Sequence, residues 1–456
     1  MDLFRTKPIS LYSDSGLKRC LTAFDLTLLG IGAVIGAGIF VLTGIAAATQ
    51  AGPAIIFSYL LAGIVAAFSA LSYAELAASI GGCGSAYGYA YAGFGELIAW
   101  IIGWDLLLEY GISCSTVAIG WSGYVSNILT AFGFHLSTQL LYGPFDGGIV
   151  NLPAMIIILV LATLLAIGVH ESARFNAAIV LIKIVAIIVF ISIAFFHVNT
   201  AYWHPFLPFG WQGIINGAAL IFFAYIGFDA ISTAAEEAHR PQRDLPIGIL
   251  ASLAICTFVY ILVAGLLTLI APYQTLNVSS PVAAVLLQLQ HNYGAAIVGA
   301  GAVAGLTSVI LIMYYGFTRV FLAMARDGLL PAFFSRIHPR TQTPVRLIFS
   351  AGIIIALIAG FTPITHAVEL VNIGTLAAFC LVCGGVIVLR YTQPQLTRPF
   401  KTPYNPLIPG LGVILCLELI ARLNPFTWWR FLIWMALGLI LYFSYGISHS
   451  KLAKSA

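Results

Sequence analysis

Five ionisable side chains lie inside apolar runs of this 456-residue sequence: Glu75, Asp105, Glu109, Lys183 and Asp229. A charge at bilayer depth costs at least about 2.5 kcal/mol on the mildest scale, so such a residue marks a function or a partner. Glu75 is near the end of its run, where headgroup solvation would suffice. Asp105 and Glu109 are four residues apart on one helical face, so at least one must hold a proton or a partner. Asp229 follows Gly227 and precedes Ser232 and Thr233, a place where a carboxylate can cap a helix. Lys183 is the hardest to place. Its amine lies about 13 Å along a helix from the nearer end of its run, further than snorkelling recovers. An ammonium there offers three donors to main-chain carbonyls, and a buried amine can release its proton.

Main-chain groups are the second source of chemistry. Gly30–Phe40 reads GIGAVIGAGIF, with Gly30, Gly32, Gly36 and Gly38 inside an apolar run. Each glycine weakens a helix by about 1 kcal/mol relative to alanine and allows unwinding or close approach. The competing reading is a seam where helices touch through small residues. A second break lies in IFFAYIGFDAISTAAEE, Ile221–Glu237. Unwound backbone exposes N–H groups at a half-helix start, which suit a carboxylate, and carbonyls at the opposing end, which suit an ammonium. Two such breaks in matching positions of two halves make a receptor for a zwitterion and point to a transporter site.

The elements that must position these groups follow from composition. The chain is 61% hydrophobic and 8% charged, far below the roughly 25% charge of soluble domains, which makes it an integral membrane protein. Twelve apolar segments can be drawn, at 26–48, 54–78, 95–127, 152–169, 175–197, 213–235, 247–270, 295–324, 346–361, 366–389, 407–423 and 428–446. The two breaks fall in the first and sixth. With the N-terminus in the cytoplasm, 17 of the 20 Lys and Arg residues fall on the inner side. Both termini are therefore expected to be cytoplasmic. The expected organisation is a cytoplasmic segment 1–25, a transport core 26–391, a Pro-rich linker 392–406, two added helices 407–446 and a tail 447–456. Outer loops carry Tyr142, Trp203, Tyr273, Trp428 and Trp429, as an interfacial belt requires.

The net charge of +4 is too small to imply nucleic acid as a partner. Cys380 and Cys383 form a CxxC within FCLVCGG without further metal ligands nearby, and read as apolar filler. No metal and no cofactor is expected. An enzyme would need a nucleophile–base pair or metal cluster, and neither HExxH nor GxSxG occurs. A channel would need repeated polar rings, which the spans lack.

Four motifs together resemble the amino acid–polyamine–organocation superfamily, and within it the bacterial form of the cationic amino acid transporter family. They are GIGAVIGAGIF, FFAYIGFDA followed by Glu236 and Glu237, PQRDLPIGI (Pro241–Ile249) and RDGLLP (Arg326–Pro331). The likeness runs from about Ala23 to Tyr445. It implies an all-α fold of twelve transmembrane helices in the bacterial inner membrane: a LeuT-like 5+5 inverted repeat, spans 1–5 and 6–10, with two extra helices. It also implies transport of an L-amino acid by alternating access. Carried over by position, N–H groups of Ala37 and Gly38 would meet the substrate carboxylate, with Gly36 also in the substrate site. Carbonyls of Val34, Phe223, Ala224 and Ile226 would meet the α-amino group, with Phe223 as a gate and Met313 beside the side chain. Ala37 stands where Ser or Thr is common, and His239–Arg240 where Asn usually precedes Pro241. In sodium-driven relatives of this fold a cation bridges spans one and eight. The resemblance puts the Lys183 amine there, near Thr307 or Ser308, with Glu109 to relay its proton and Asp229 as a supporting polar group. A permanent Lys183–Glu109 ion pair is the structural alternative.

The apolar lining favours proton-coupled import of small neutral amino acids such as alanine. Cationic amino-acid transport, exchange, and a non-transporting amino-acid sensor remain alternatives. Oligomeric state is not legible.

Overall fold

The computed structural model describes residues 3, 5–7, 21–80, 85–168, 173–341 and 343–455. Cys20, Cys83 and most of the expected N-terminal segment, including Lys18 and Arg19, lie outside the described residues.

Apolar chain in a bilayer can satisfy its backbone only within helices or a closed barrel. Here it forms helices, and among the described residues no strand occurs beyond one isolated bridge, Leu21 to Ala238. Eight stretches are long and apolar enough to cross a membrane, and four shorter apolar helices accompany them. Each of the twelve drawn segments carries a helix. In order they are α1 (Ala23–Val34), α2 (Ile55–Ser79), α3 (Glu96–Ala131), α4 (Leu152–Ile167), α5 (Ala173–Phe195), α6 (Gly210–Ile221), α7 (Pro241–Ile270), α8 (Asn292–Arg326), α9 (Val345–Phe361), α10 (Ile364–Thr392), α11 (Leu407–Ala421) and α12 (Pro425–Leu441). Starts are set by local chemistry: Asn151 and Asn424 accept from Ala154 N–H (3.2 Å) and Phe426 N–H (3.0 Å), with Pro153 and Pro425 in the first turn.

The 36-residue α3 is the central post, packed on α8 and α10, while α2 and α1 pack on α7. Helices α11 and α12 join the bundle through α10. The five described cysteines, Cys114, Cys256, Cys380, Cys383 and Cys416, are free thiols.

One end of the bundle is tied by buried charge. Glu75, 2% exposed, accepts from Arg390 Nε (3.0 Å) and Nη2 (2.6 Å) and from Thr402 N–H (2.7 Å), with Arg398 Nε at 3.4 Å. This corrects the expectation that headgroups solvate Glu75: the carboxylate anchors α2 to the end of α10 and the chain before α11. Breaking a buried pair leaves an uncompensated charge at about 3–5 kcal/mol. Glu75→Gln should therefore lower the thermal unfolding midpoint of the purified protein by several degrees. A midpoint equal to the parent's would mean that the ion pair adds nothing net.

Glu96, at the start of α3, gathers Arg5 Nε (3.3 Å) and the hydroxyls of Tyr91 (2.9 Å), Tyr442 (3.0 Å) and Ser450 (2.5 Å). Arg5 and Ser450 thereby bring both ends of the described chain to one carboxylate.

Candidate functional site

Both expected breaks form, and they touch. Helix α1 ends at Val34, Ile35 is extended (φ −74°, ψ 99°), and a π-helical turn resumes over Gly38–Leu42. Helix α6 ends at Ile221, a 3-10 turn covers Phe222–Tyr225, and Ile226 is extended (φ −67°, ψ 137°). Gly227 then takes φ 115°, a conformation only glycine adopts without strain, and a 3-10 helix runs over Phe228–Glu237. The glycines serve both readings weighed above. A Cβ at Gly30 would lie 2.5 Å from Ile231 and 2.6 Å from Ser252, as at a packing seam. One at Gly227 would lie 3.1 Å from the Ala33 carbonyl, and one at Gly38 would overlap Cα and Cβ of Ala224. These two glycines let the broken backbones meet.

Carbonyls freed by unwinding must find donors. Lys183 Nζ donates to Gly32 O at 2.5 Å. Tyr260 lies with its hydroxyl 2.8 Å from both Val34 O and Ala224 O, bridging the two breaks. Tyr59 donates to Gly38 O (3.1 Å) and Tyr124 to Phe40 O (2.7 Å). Asn372 Nδ2 reaches Ala219 O (2.7 Å) and Leu220 O (2.9 Å). At the start of the resumed helix Phe40 N–H donates to Gly36 O (3.3 Å), while the first N–H groups of a helix start have no partner from a preceding turn.

A cavity of about 10 Å³ lies at the crossing, lined by Ala33, Val34, Gly36, Ala37, Gly38, Ser113, Val117, Phe223, Ile226, Val309 and Met313. It brings together seven of the eight residues expected to bind substrate. Ala224 is the exception: it packs on Gly38, and Tyr260 holds its carbonyl. Sequence reasoning missed Ala33, Ser113, Val117 and Val309. Ser113 was findable, because Asp105, Glu109 and Ser113 form a polar stripe at every fourth residue of α3. Its buried hydroxyl faces the cavity with no protein partner.

The ionisable residues separate into two groups. Lys183, fully buried on α5, lays its stem against Gly305 of α8 and its amine on α1. Ser308 donates to Gly305 O (3.1 Å), whereas Thr307 is occupied by Trp121 Nε1 (2.9 Å) and Val303 O (2.7 Å). Glu109 belongs to the other group: its charged neighbours are Asp229 and Asp105, and the Thr375 hydroxyl lies beside its carboxyl. The permanent Lys183–Glu109 pair is therefore not formed, and a relay between them would have to cross the gap between α5 and α3. Gly227 occupies the cap position of the second half of the broken helix, and the Asp229 carboxylate, in its first turn, meets main-chain N–H groups there as well as the Tyr110 hydroxyl at 2.5 Å.

Comparison with known proteins bears on this geometry. Residues 21–443 match the family model described as amino acid permease. The chain is 46% identical to a methylthioribose transporter of Bacillus subtilis (strain 168) over 99% of each chain. It is 47% identical to the branched-chain amino acid permease BcaP of the same organism, over 96% of this chain and 95% of that protein. It is 38% identical to the vacuolar cationic amino acid transporter 4 of Arabidopsis thaliana over 83% of this chain and 64% of that one.

Proposed function

The chain belongs to the amino acid permease family, as a multi-pass membrane transporter and not an enzyme, and on that premise we propose that it imports neutral aliphatic L-amino acids together with protons. The observation that carries this reading is the mostly apolar cavity at the contact of two broken helices. Main-chain N–H groups from Ala37 and Gly38 receive the carboxylate. Carbonyls of Val34, Phe223 and Ile226 lie across from them for the ammonium, and each carbonyl has a second lone pair even where a tyrosine already donates. Ile226, Val309, Val117 and Met313 leave an apolar space for the side chain.

In this reading spans 1–5 and 6–10 form the inverted repeat, α11 and α12 are additions, and the arginine-rich end with both termini faces the cytoplasm of a bacterium. Alternating access moves the two broken helices against their neighbours around a fixed site. Alanine is the preferred substrate because the cavity is small. The branched-chain name of the Bacillus subtilis relative supports a second reading, in which Met313 rearranges to admit valine or leucine. No carboxylate lines the cavity, so an arginine or lysine side chain would lose its hydration without a partner.

Counterflow in proteoliposomes tests the proposal and separates transport from sensing. Unlabelled alanine loaded inside the vesicles should drive accumulation of external labelled alanine, and excess external arginine should not compete. Alanine methyl ester and ethylamine each lack one charged group worth about 1.5–3 kcal/mol of hydrogen bonding, and should compete roughly ten- to hundredfold less well. Competition by either at alanine's own concentration would remove the zwitterion site. Competition by arginine would restore the cationic reading.

A further inference from the structure

A second cavity, of about 100 Å³, opens where α4, α8 and α9 end, beginning at Tyr315, two residues beyond Met313 on α8, and continuing to Arg326 at the helix end. Leu165, Tyr315, Arg319, Arg326, Thr343 and Ile348 are among its walls. Arg319 and Arg326 are seven residues apart, about 10.5 Å along one helix. Both are exposed, and among the described residues neither has a carboxylate partner. The 28 residues from Arg319 to Arg346 contain five arginines, with Arg336, Arg340 and Arg346 completing the set, and a single acid, Asp327. That acid is already occupied: Lys7 Nζ is 2.8 Å from one of its oxygens, and the Tyr87 hydroxyl 2.7 Å from the other.

Two of the guanidinium groups are held without being neutralised. Arg319 lies 4.6 Å from the Tyr315 ring centroid and also bonds the Tyr315 hydroxyl. Arg346 lies 4.6 Å from that of Phe333. Stacking of this kind fixes a planar guanidinium and leaves its charge free for a second anion. The surroundings are those of a membrane boundary. Three apolar helices end here, and Phe349, Ile353 and Leu357 of α9 are exposed along the adjoining outer face.

We propose that this cavity binds the headgroup phosphate of an anionic membrane lipid. Arg319 and Arg326 take the phosphate, while an acyl chain follows the exposed face of α9. Uncompensated arginine in a pocket between membrane helices suits that chemistry, and an isolated anion would make no use of the apolar face. The inference needs only that the chain spans a bilayer, and stands or falls separately from the substrate reading.

The test uses the purified full-length protein in neutral detergent, titrated with phosphatidylglycerol, phosphatidylcholine or inorganic phosphate while the thermal unfolding midpoint is followed. A ligand that binds only the folded protein raises that midpoint. Phosphatidylglycerol should raise it by a few degrees, and the other two should not. Arg319→Gln with Arg326→Gln should weaken the apparent affinity roughly thirtyfold, the combined share of two basic residues near an anionic surface. Arg336→Gln with Arg340→Gln, which removes equal charge from the loop outside the cavity, should change it little. Equal losses in both pairs would mean diffuse surface attraction and overturn the site. An equal rise with phosphatidylcholine, or with inorganic phosphate, would overturn the lipid assignment. If the glutamine pair unfolds, the lysine pair keeps the charge without the planar fork. Affinity equal to the parent's in that variant would overturn recognition by paired guanidinium groups, and partial loss would support it.

Discussion

Lys183→Ala should abolish proton-driven uptake, by roughly two orders of magnitude or more, while the protein still folds. The amine donates to Gly32 O two residues before α1 breaks, and its stem crosses Gly305 of α8. One side chain thus ties α5 to the half-helix that carries the substrate carbonyls and to the helix that carries Met313. A charge-assisted hydrogen bond is worth up to about 3 kcal/mol, and deleting it releases that tie in every state. In the proposed cycle the protonated amine closes the site and the neutral amine lets α1 move, so a proton crosses with each substrate. Proteoliposomes with an imposed pH gradient provide the measurement, with sodium replaced by choline in a parallel series. The parent should be indifferent to the replacement, and the variant should elute as a folded protein yet fail to concentrate alanine. Undiminished proton-driven uptake in the variant, or a strict sodium requirement in the parent, would sink the coupling mechanism. The family assignment would be unaffected by either outcome.

The same lysine shows what a sequence can and cannot disclose. Its depth within an apolar run was legible, because length and hydropathy alone set the helices. Its partner was not. Two buried charges of opposite sign suggest a pair, but pairing depends on which helix faces turn toward each other. Here α3 turns Glu109 toward Asp229 and Asp105, while α5 turns Lys183 toward α1. Glu75 failed in the opposite sense: Arg390 and Thr402 are more than 300 positions away, so a buried ion pair looked like a solvated end. Positional transfer puts Val34, at the end of α1 beside the extended Ile35, and the extended Ile226 at the site, and both line the cavity. It slipped at Ala224, inside a 3-10 turn whose tighter winding points the carbonyl to Tyr260. Tyr260 itself was invisible, since a tyrosine in an apolar helix has no sequence signal that its hydroxyl will bridge two breaks.

Gly38→Ala should eliminate substrate binding at a small cost in stability. The added methyl would overlap Ala224, including its Cα, which no side-chain rotation can relieve. Apolar carbons settle at about 3.5–4.0 Å, so the two broken backbones must part by about 1 Å. Overpacking of this size costs about 1–3 kcal/mol of stability. Recognition suffers more, because the Ala37 and Gly38 N–H groups and the opposing carbonyls must contact one small zwitterion together, and a shift of 1 Å in a positioned group can cost roughly a hundredfold. The seam glycine behaves differently: at Gly30 the obstacles are the end of Ile231, which can turn aside, and Ser252, whose Cβ at 2.7 Å must shift with α7. At Gly384 nothing lies within 4 Å. Alanine binding measured by the substrate's effect on the unfolding midpoint should therefore disappear in Gly38→Ala, weaken modestly in Gly30→Ala and stay unchanged in Gly384→Ala. If Gly38→Ala and Gly30→Ala bound alanine equally well, the glycines of the first span would be a packing seam throughout, and the site would have to be sought elsewhere along α3.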